Sequence, residues 1–99
     1  MKPWQKKEKK DAKDFSATRQ RGSGNSWQSP SDSVSKTFSI DSKFTSKNSY
    51  SFSIQTWNKL CEEAAWNQEK IPLLSIAIQN IELVVLSKDD FLRLIKKEN

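Results

Sequence analysis

Two aspartates nine positions apart, Asp32 and Asp41, and a lysine two residues beyond the second, Lys43, are the side chains best suited to chemistry in this sequence. Asp41-Ser42-Lys43 lies inside Phe38-Ser39-Ile40-Asp41-Ser42-Lys43-Phe44, which has the period of a half-buried strand. Phe38, Ile40 and Phe44 would share one face of that strand, and Ser39, Asp41 and Lys43 the other. Mg2+ prefers oxygen ligands and keeps several waters, so one or two carboxylates plus a substrate phosphate suffice to hold it. Asp32 and Asp41 are the expected carboxylates, with the Ser42 carbonyl as a backbone ligand. Lys43 is then placed to orient or deprotonate an attacking water and to offset phosphorane charge. That is the chemistry of phosphodiester hydrolysis. On spacing alone, an ion pair on a solvated sheet face fits these residues equally well. Acid-x-lysine triplets also occur at Glu8-Lys9-Lys10 and Asp11-Ala12-Lys13, but only Asp41-Ser42-Lys43 lies in an apolar strand pattern.

The elements that must position these groups are legible around them. Residues 31–36 and 37–45 predict two short strands in a hairpin turning at Lys36-Thr37. Upstream, good helix formers run from Gln5 to Asp14 with almost no apolar stripe, so a short, weakly docked helix is expected, anchored by Ala12 and Phe15. Downstream, Trp57, Leu60, Cys61, Ala64 and Ala65 form one apolar helical face, with Ser53 as N-cap and Pro72 preventing the helix from running on. Two apolar strands follow, Leu73–Gln79 and Ile81–Leu86, joined near Gln79-Asn80, and their near-continuous apolar character predicts burial on both faces. Ser87 with an acid three residues on opens a last helix, with Phe91, Leu94 and Ile95 expected to face inward. This order predicts an α/β fold, a mixed sheet with helices on its faces.

Composition narrows the function. The chain has 99 residues, enough for one small domain: a disordered basic tail over 1–6 and a single folded unit over 7–99. Residues 1–22 hold eight Lys/Arg and three Asp/Glu, whereas residues 23–99 hold nine of each, so the whole net charge of +5 lies in the N-terminal fifth. Lys6, Lys7, Lys10, Arg19 and Arg21 belong to that excess, which favours a polyanionic partner or else serves as a solubilising tail. The absence of histidine excludes His-based acid–base catalysis, and the single Cys61 excludes an intramolecular disulfide. No apolar run reaches the length of a membrane span, and there is no signal-peptide core; an intracellular, cytoplasmic protein without membrane association is expected. Both glycines fall in Gly22-Ser23-Gly24, followed by Asn25 and Trp27, a composition suited to a tight backbone path or a close approach to a ligand. Trp4 and Trp27, in polar surroundings, could stack on bases or pack over a sheet edge. Trp57 belongs to the core stripe; Trp66 lies just off it, where a subunit interface is one reading.

The run Arg19-Gln20-Arg21-Gly22-Ser23-Gly24-Asn25, then Ser31-Asp32, then Phe38-Ser39-Ile40-Asp41-Ser42-Lys43 resembles the PD-(D/E)XK nuclease superfamily, and within it the archaeal-type Holliday junction resolvases and their small phage-encoded counterparts. The resemblance covers roughly residues 8–95. It implies a restriction-endonuclease-like fold in the order α-β-β-β-α-β-β-α, and Mg2+ as cofactor with Mn2+ as a substitute. It also implies a homodimer acting on branched double-stranded DNA. By position, Glu8 matches a helix glutamate that completes the metal site, and Ser23 a loop serine approaching the DNA backbone. Asp32 and Asp41 match the metal ligands and Lys43 the catalytic lysine, while Lys47 and Tyr50 fall where phosphate contacts are made. Three departures stand out: Asp41 replaces the commoner Glu, Ser31 stands where Pro or Gly usually precedes the first acid, and the N-terminal helix that carries Glu8 is short. A metal-dependent, structure-selective endonuclease is the expectation. The alternative is a non-catalytic DNA- or protein-binding phage accessory protein using the basic N-terminal arm.

Overall fold

The computed structural model describes residues 2–19 and 31–98. Helix α1 (Pro3–Asp14) is followed by strands β1 (Thr18–Arg19), β2 (Ser33–Val34) and β3 (Phe38–Thr45), helix α2 (Ile54–Trp66), strands β4 (Ile71–Ile78) and β5 (Ile81–Val85), and helix α3 (Lys88–Glu98). The five strands form one mixed sheet in the order β1-β2-β3-β4-β5, antiparallel throughout except for the parallel pair β3–β4. A parallel pair needs a crossover connection, and α2 supplies it. The expected α/β class with a mixed sheet and three helices is what the chain forms.

Local chemistry explains the boundaries. Pro3 opens α1, where its missing N–H is not needed, and the Gln5 side chain accepts from the Lys2 N–H at 2.9 Å. The helix therefore starts two residues before the expected Gln5, and residues 3–6 are its first turn. It ends with Ser16 in the left-handed region (φ 53°) and the Ala17 N–H donating to the Ala12 carbonyl at 2.7 Å, a Schellman closure. Ser53 caps α2 by accepting from the Thr56 N–H at 3.2 Å, and Ser87 caps α3 by accepting from the Asp90 N–H at 3.1 Å, both as expected. Pro72 lies inside β4 rather than before it. Ile71 donates to the Thr37 carbonyl of the β3 side, so the next nitrogen points the other way, and β5 pairs only from Leu74 onward. The proline thus occupies a position where no ladder donor is needed.

The two faces of β3 differ in character. Ser42 bonds to α1 while its neighbour Asp41 bonds to α2, so α1 and α2 cover opposite faces of the sheet. The α2 side holds the apolar cluster of Leu60, Leu74 and Ile76, with Tyr50, Trp57, Ile78 and Val85 packed against it. The α1 side buries Ile40 and Leu73 around a polar centre. Asp11 Oδ1 accepts from Lys7 Nζ and Ser75 Oγ, both at 3.0 Å, and Oδ2 accepts from Ser42 Oγ at 2.6 Å. Lys7 spends its remaining donors on Ser75 Oγ (2.8 Å) and Glu82 Oε1 (3.0 Å). The helix read as weakly docked is therefore tied down, by polar contacts rather than by Ala12 and Phe15 alone. Phe15 does make its contact, edge-on to Phe38 at 6.1 Å.

Two packing expectations are overturned. β5 is the edge of the sheet, and Ile81 and Leu83 are 62% and 48% exposed instead of buried on both faces. Phe91 and Ile95 of α3 are likewise exposed, at 50% and 41%. Apolar sequence predicts burial, but β5 is an edge strand with a neighbour on one side only, and among the described residues no element covers these side chains. No helix among the described residues is long and apolar enough to cross a membrane.

Candidate active site

The hairpin that carries the aspartates is set by Ser35. Its Oγ accepts from the Phe38 N–H at 2.8 Å and the Thr37 N–H at 3.2 Å, and its N–H donates to the Phe38 carbonyl at 2.9 Å. This closes the turn so that Ser33 pairs with Ile40, and one step outward Asp32 stands opposite Asp41. The Asp32 N–H donates to the Ile40 carbonyl at 3.1 Å and approaches Asp41 Oδ1 at 3.4 Å. In return, Asp32 Oδ2 accepts from the Ser42 N–H at 2.9 Å. The two carboxylates predicted to cooperate are thus cross-strand neighbours.

Ser31, where the nuclease pattern usually has Pro or Gly, has work of its own. Its hydroxyl bonds to Ser39 Oγ and accepts from Asn67 Nδ2 at 3.0 Å, pinning the start of β2 to the end of α2. A proline or glycine there would offer no such tie. Ser42 joins the two sides of the sheet: its hydroxyl faces Asp11 and its amide faces Asp32. In an extended residue the N–H and C=O point to the same side, so the Ser42 carbonyl faces the Asp32 side as well.

Sequence reasoning missed one acid. Glu63 of α2 is only 8% exposed and hydrogen-bonds to Asp41. It shares a face with Leu60 and Ala64, three residues after one and directly before the other, so an acid on the apolar stripe was the available signal. Burial, then the charge of Asp32, push the Asp41 carboxyl up to about 6, while Lys43 and the Asp32 N–H pull it back. Burial and the Asp41 charge push Glu63 up to about 7, with the hydrogen bond to Asp41 and the charge of Asp32 adding to the rise against Lys59. Glu63 therefore keeps the proton and donates it to Asp41, so that the pair titrates as a unit.

Asp41 stands between the charge of Asp32 across the hairpin and Glu63 on α2, and a divalent cation beside it would relieve that repulsion. Among the described residues no group of three such ligands stands ready-made to cage a metal ion. Mg2+ does not require one, since waters and a substrate phosphate complete its octahedron. Asp32, Asp41 and the Ser42 carbonyl fit that requirement, with Glu63 adjoining. Lys43 is exposed on Asp41's face, two residues along β3, and its ammonium acts on the Asp41 carboxyl.

The remaining expected residues are distributed differently. Glu8 is buried on α1 and accepts from Arg19 Nη2 at 3.0 Å, so its carboxylate is engaged with β1. Lys7, read as a phosphate contact, is an interior residue, 5% exposed with its donors committed to Asp11, Ser75 and Glu82. The sequence showed a lysine among lysines; its position on the helix face that meets the sheet decides otherwise. Lys6, Lys10 and Lys47 are exposed, Lys10 ion-paired with Glu82. Tyr50 packs against the apolar cluster, whereas Trp66 is 77% exposed. Arg21, Ser23, Asn25 and Trp27 lie outside the described residues. Comparison of the chain with protein-family models, curated proteins and solved structures finds no match in any of the three.

Proposed function

We propose that this chain is a Mg2+-dependent, structure-selective DNA endonuclease of the PD-(D/E)XK type, acting on branched duplexes such as the four-way junction. The observation that carries the reading is the convergence of Asp32 and Asp41 across one hairpin, with Lys43 on the same strand face and Glu63 closing from α2. Asp32, Asp41 and the Ser42 carbonyl would hold the metal, which when bound acts as a Lewis acid toward the phosphate and lowers the pKa of water. Lys43 would hold the attacking water in line and place its charge against the oxygens of the phosphorane. Hydrolysis forms one phosphorus–oxygen bond from water and breaks one to the departing sugar oxygen, with a proton delivered to that oxygen. Glu63, whose carboxyl is pushed up to about 7 by burial and the Asp41 charge, adjoins the site as a proton donor for it.

Symmetric cutting of a junction calls for two active sites, so a homodimer is part of the reading. The uncovered apolar residues of β5 and α3, with Trp66, support a second copy. The test is incubation of labelled four-way junction with protein and Mg2+ or Mn2+. Paired nicks are expected, abolished by Asp41→Ala and by Lys43→Ala with binding largely retained. Wild-type protein that binds the junction and never cuts it with either metal would instead be a non-catalytic binding module.

A further inference from the structure

Helix α1 carries a feature that cleavage does not use. Lys2, Lys6, Lys9, Lys10 and Lys13 are all exposed, and at 3.6 residues per turn they fall within an arc of about 100°. The opposite arc, with Lys7, Glu8, Asp11 and Ala12, is the one buried against the sheet. The outward stripe is of a single sign. Lys6–Lys10, Lys9–Lys13 and Lys2–Lys6 are like charges four residues apart, each opposing helix formation by about 0.2–0.5 kcal/mol. Lys10 is the member of the stripe that pairs with an acid, Glu82 of β5. The Pro3–Phe44 groove beside it, a cavity of about 300 Å³, is rimmed by Lys6 and Lys10 and by Gln79 and Asn80.

The position of this stripe matters more than its charge. α1 covers one face of β3, and the carboxylates Asp41 and Glu63 stand on the other. Lys2, Lys9 and Lys13 lie on the side of α1 away from its buried face, beyond a helix about 10–12 Å across, while Lys6 and Lys10 flank the groove at β5. A straight duplex laid over the carboxylates on the α2 side cannot also lie along them. The stripe contains no apolar side chain to enter a bilayer, because the helix's buried face is already spent on the sheet. Repeated phosphates are its complement.

We propose that the α1 stripe is a second DNA-backbone site, and that one protomer holds two duplex segments on opposite faces of its sheet: the one to be cut on the α2 side and another along α1. This rests on the nuclease reading and deepens it, because a protein that must hold two duplexes at once favours a branch point over linear DNA.

The experiment is photo-crosslinking to a four-way junction with each arm labelled, in EDTA so that no cutting is needed. A crosslinker is attached at Lys13→Cys on α1 or at Lys59→Cys on α2, each in a Cys61→Ser background whose melting is checked against wild type. Position 13 is expected to label arms that position 59 does not. Labelling of the same arms from both positions, or no labelling from position 13, overturns the proposal. Independently, in the wild-type background, Lys6→Gln, Lys9→Gln and Lys13→Gln together should flatten the salt dependence of junction binding by about 2.7 in log–log slope, at about 0.9 for each phosphate no longer neutralised. An unchanged slope would also overturn it. A protein that crosslinks as expected but never cuts with Mg2+ or Mn2+ refutes the nuclease reading and leaves the second site standing.

Discussion

Replacing Asp41 by asparagine should stabilise the metal-free protein at alkaline pH and remove its response to Mg2+. The buried Asp41 carboxyl is pushed from 3.8 up to about 6 by desolvation and by the charge of Asp32. Between about pH 4 and pH 6 the folded chain therefore binds more protons than the unfolded one. Stability falls as pH rises through that window and is lowest above it. Glu63, raised to about 7, extends the fall toward neutrality. Ionising Asp41 in the fold corresponds to at most about 3 kcal/mol at pH 8, shared with Glu63 because the two exchange a proton. An asparagine keeps the shape and drops the charge. For a domain of this size, recovering about 2 kcal/mol raises the melting midpoint by roughly 10 °C. The assay is thermal unfolding in EDTA across about pH 4.5–8.5, repeated with Mg2+. Wild type should melt lower at pH 8 than at pH 5 and regain stability with Mg2+, by about 2.7 kcal/mol at a hundredfold excess over Kd. Asp41→Asn should show a flatter pH profile and little gain from Mg2+. A wild type whose stability rises from pH 5 to pH 7, or a variant that melts below wild type at pH 8, would refute the account of the carboxylate cluster.

Two further outcomes follow from the α1 side of the sheet. Asp11→Ala removes the buried carboxylate shared by Lys7, Ser42 and Ser75, leaving Lys7 with the half-exposed Glu82 as its acid, and should cost about 3 kcal/mol in urea unfolding, far more than the loss of a surface ion pair; a loss below about 1 kcal/mol would mean the network is not what docks α1. Ser33 Oγ is fully buried without a hydrogen-bond partner among the described residues, so Ser33→Ala should leave stability unchanged or raise it by about 1 kcal/mol, and a lower melting midpoint would show that the hydroxyl has a partner after all.

What could be read beforehand is what depends on neighbours in sequence. The alternation of Phe38 to Phe44 declared β3, the stripe from Trp57 to Ala64 declared α2, and the serines at 53 and 87 declared helix starts. Asp32 and Asp41 were legible as a pair because a hairpin relates them by local register. Glu63 was not, because its partner is brought near only by the β3–α2–β4 crossover. The same holds for Lys7 and Asp11, whose partners Ser42, Ser75 and Glu82 lie on three strands. β1 is two residues long, too short for any periodicity to mark it. The exposure of Ile81, Leu83 and Phe91 depends on which strand ends the sheet, a fact of topology that hydropathy does not encode.

Ser42 separates an acid from a lysine, a place that sequence patterns leave as a wildcard. Here its hydroxyl reaches through to Asp11 while its amide steadies Asp32, so the position accepts a narrow alphabet: small, hydroxyl-bearing, and free of a branch that would crowd the helix behind it. A bulky or purely aliphatic replacement would leave both neighbours of the triplet intact in name and loosen the frame on which they are mounted.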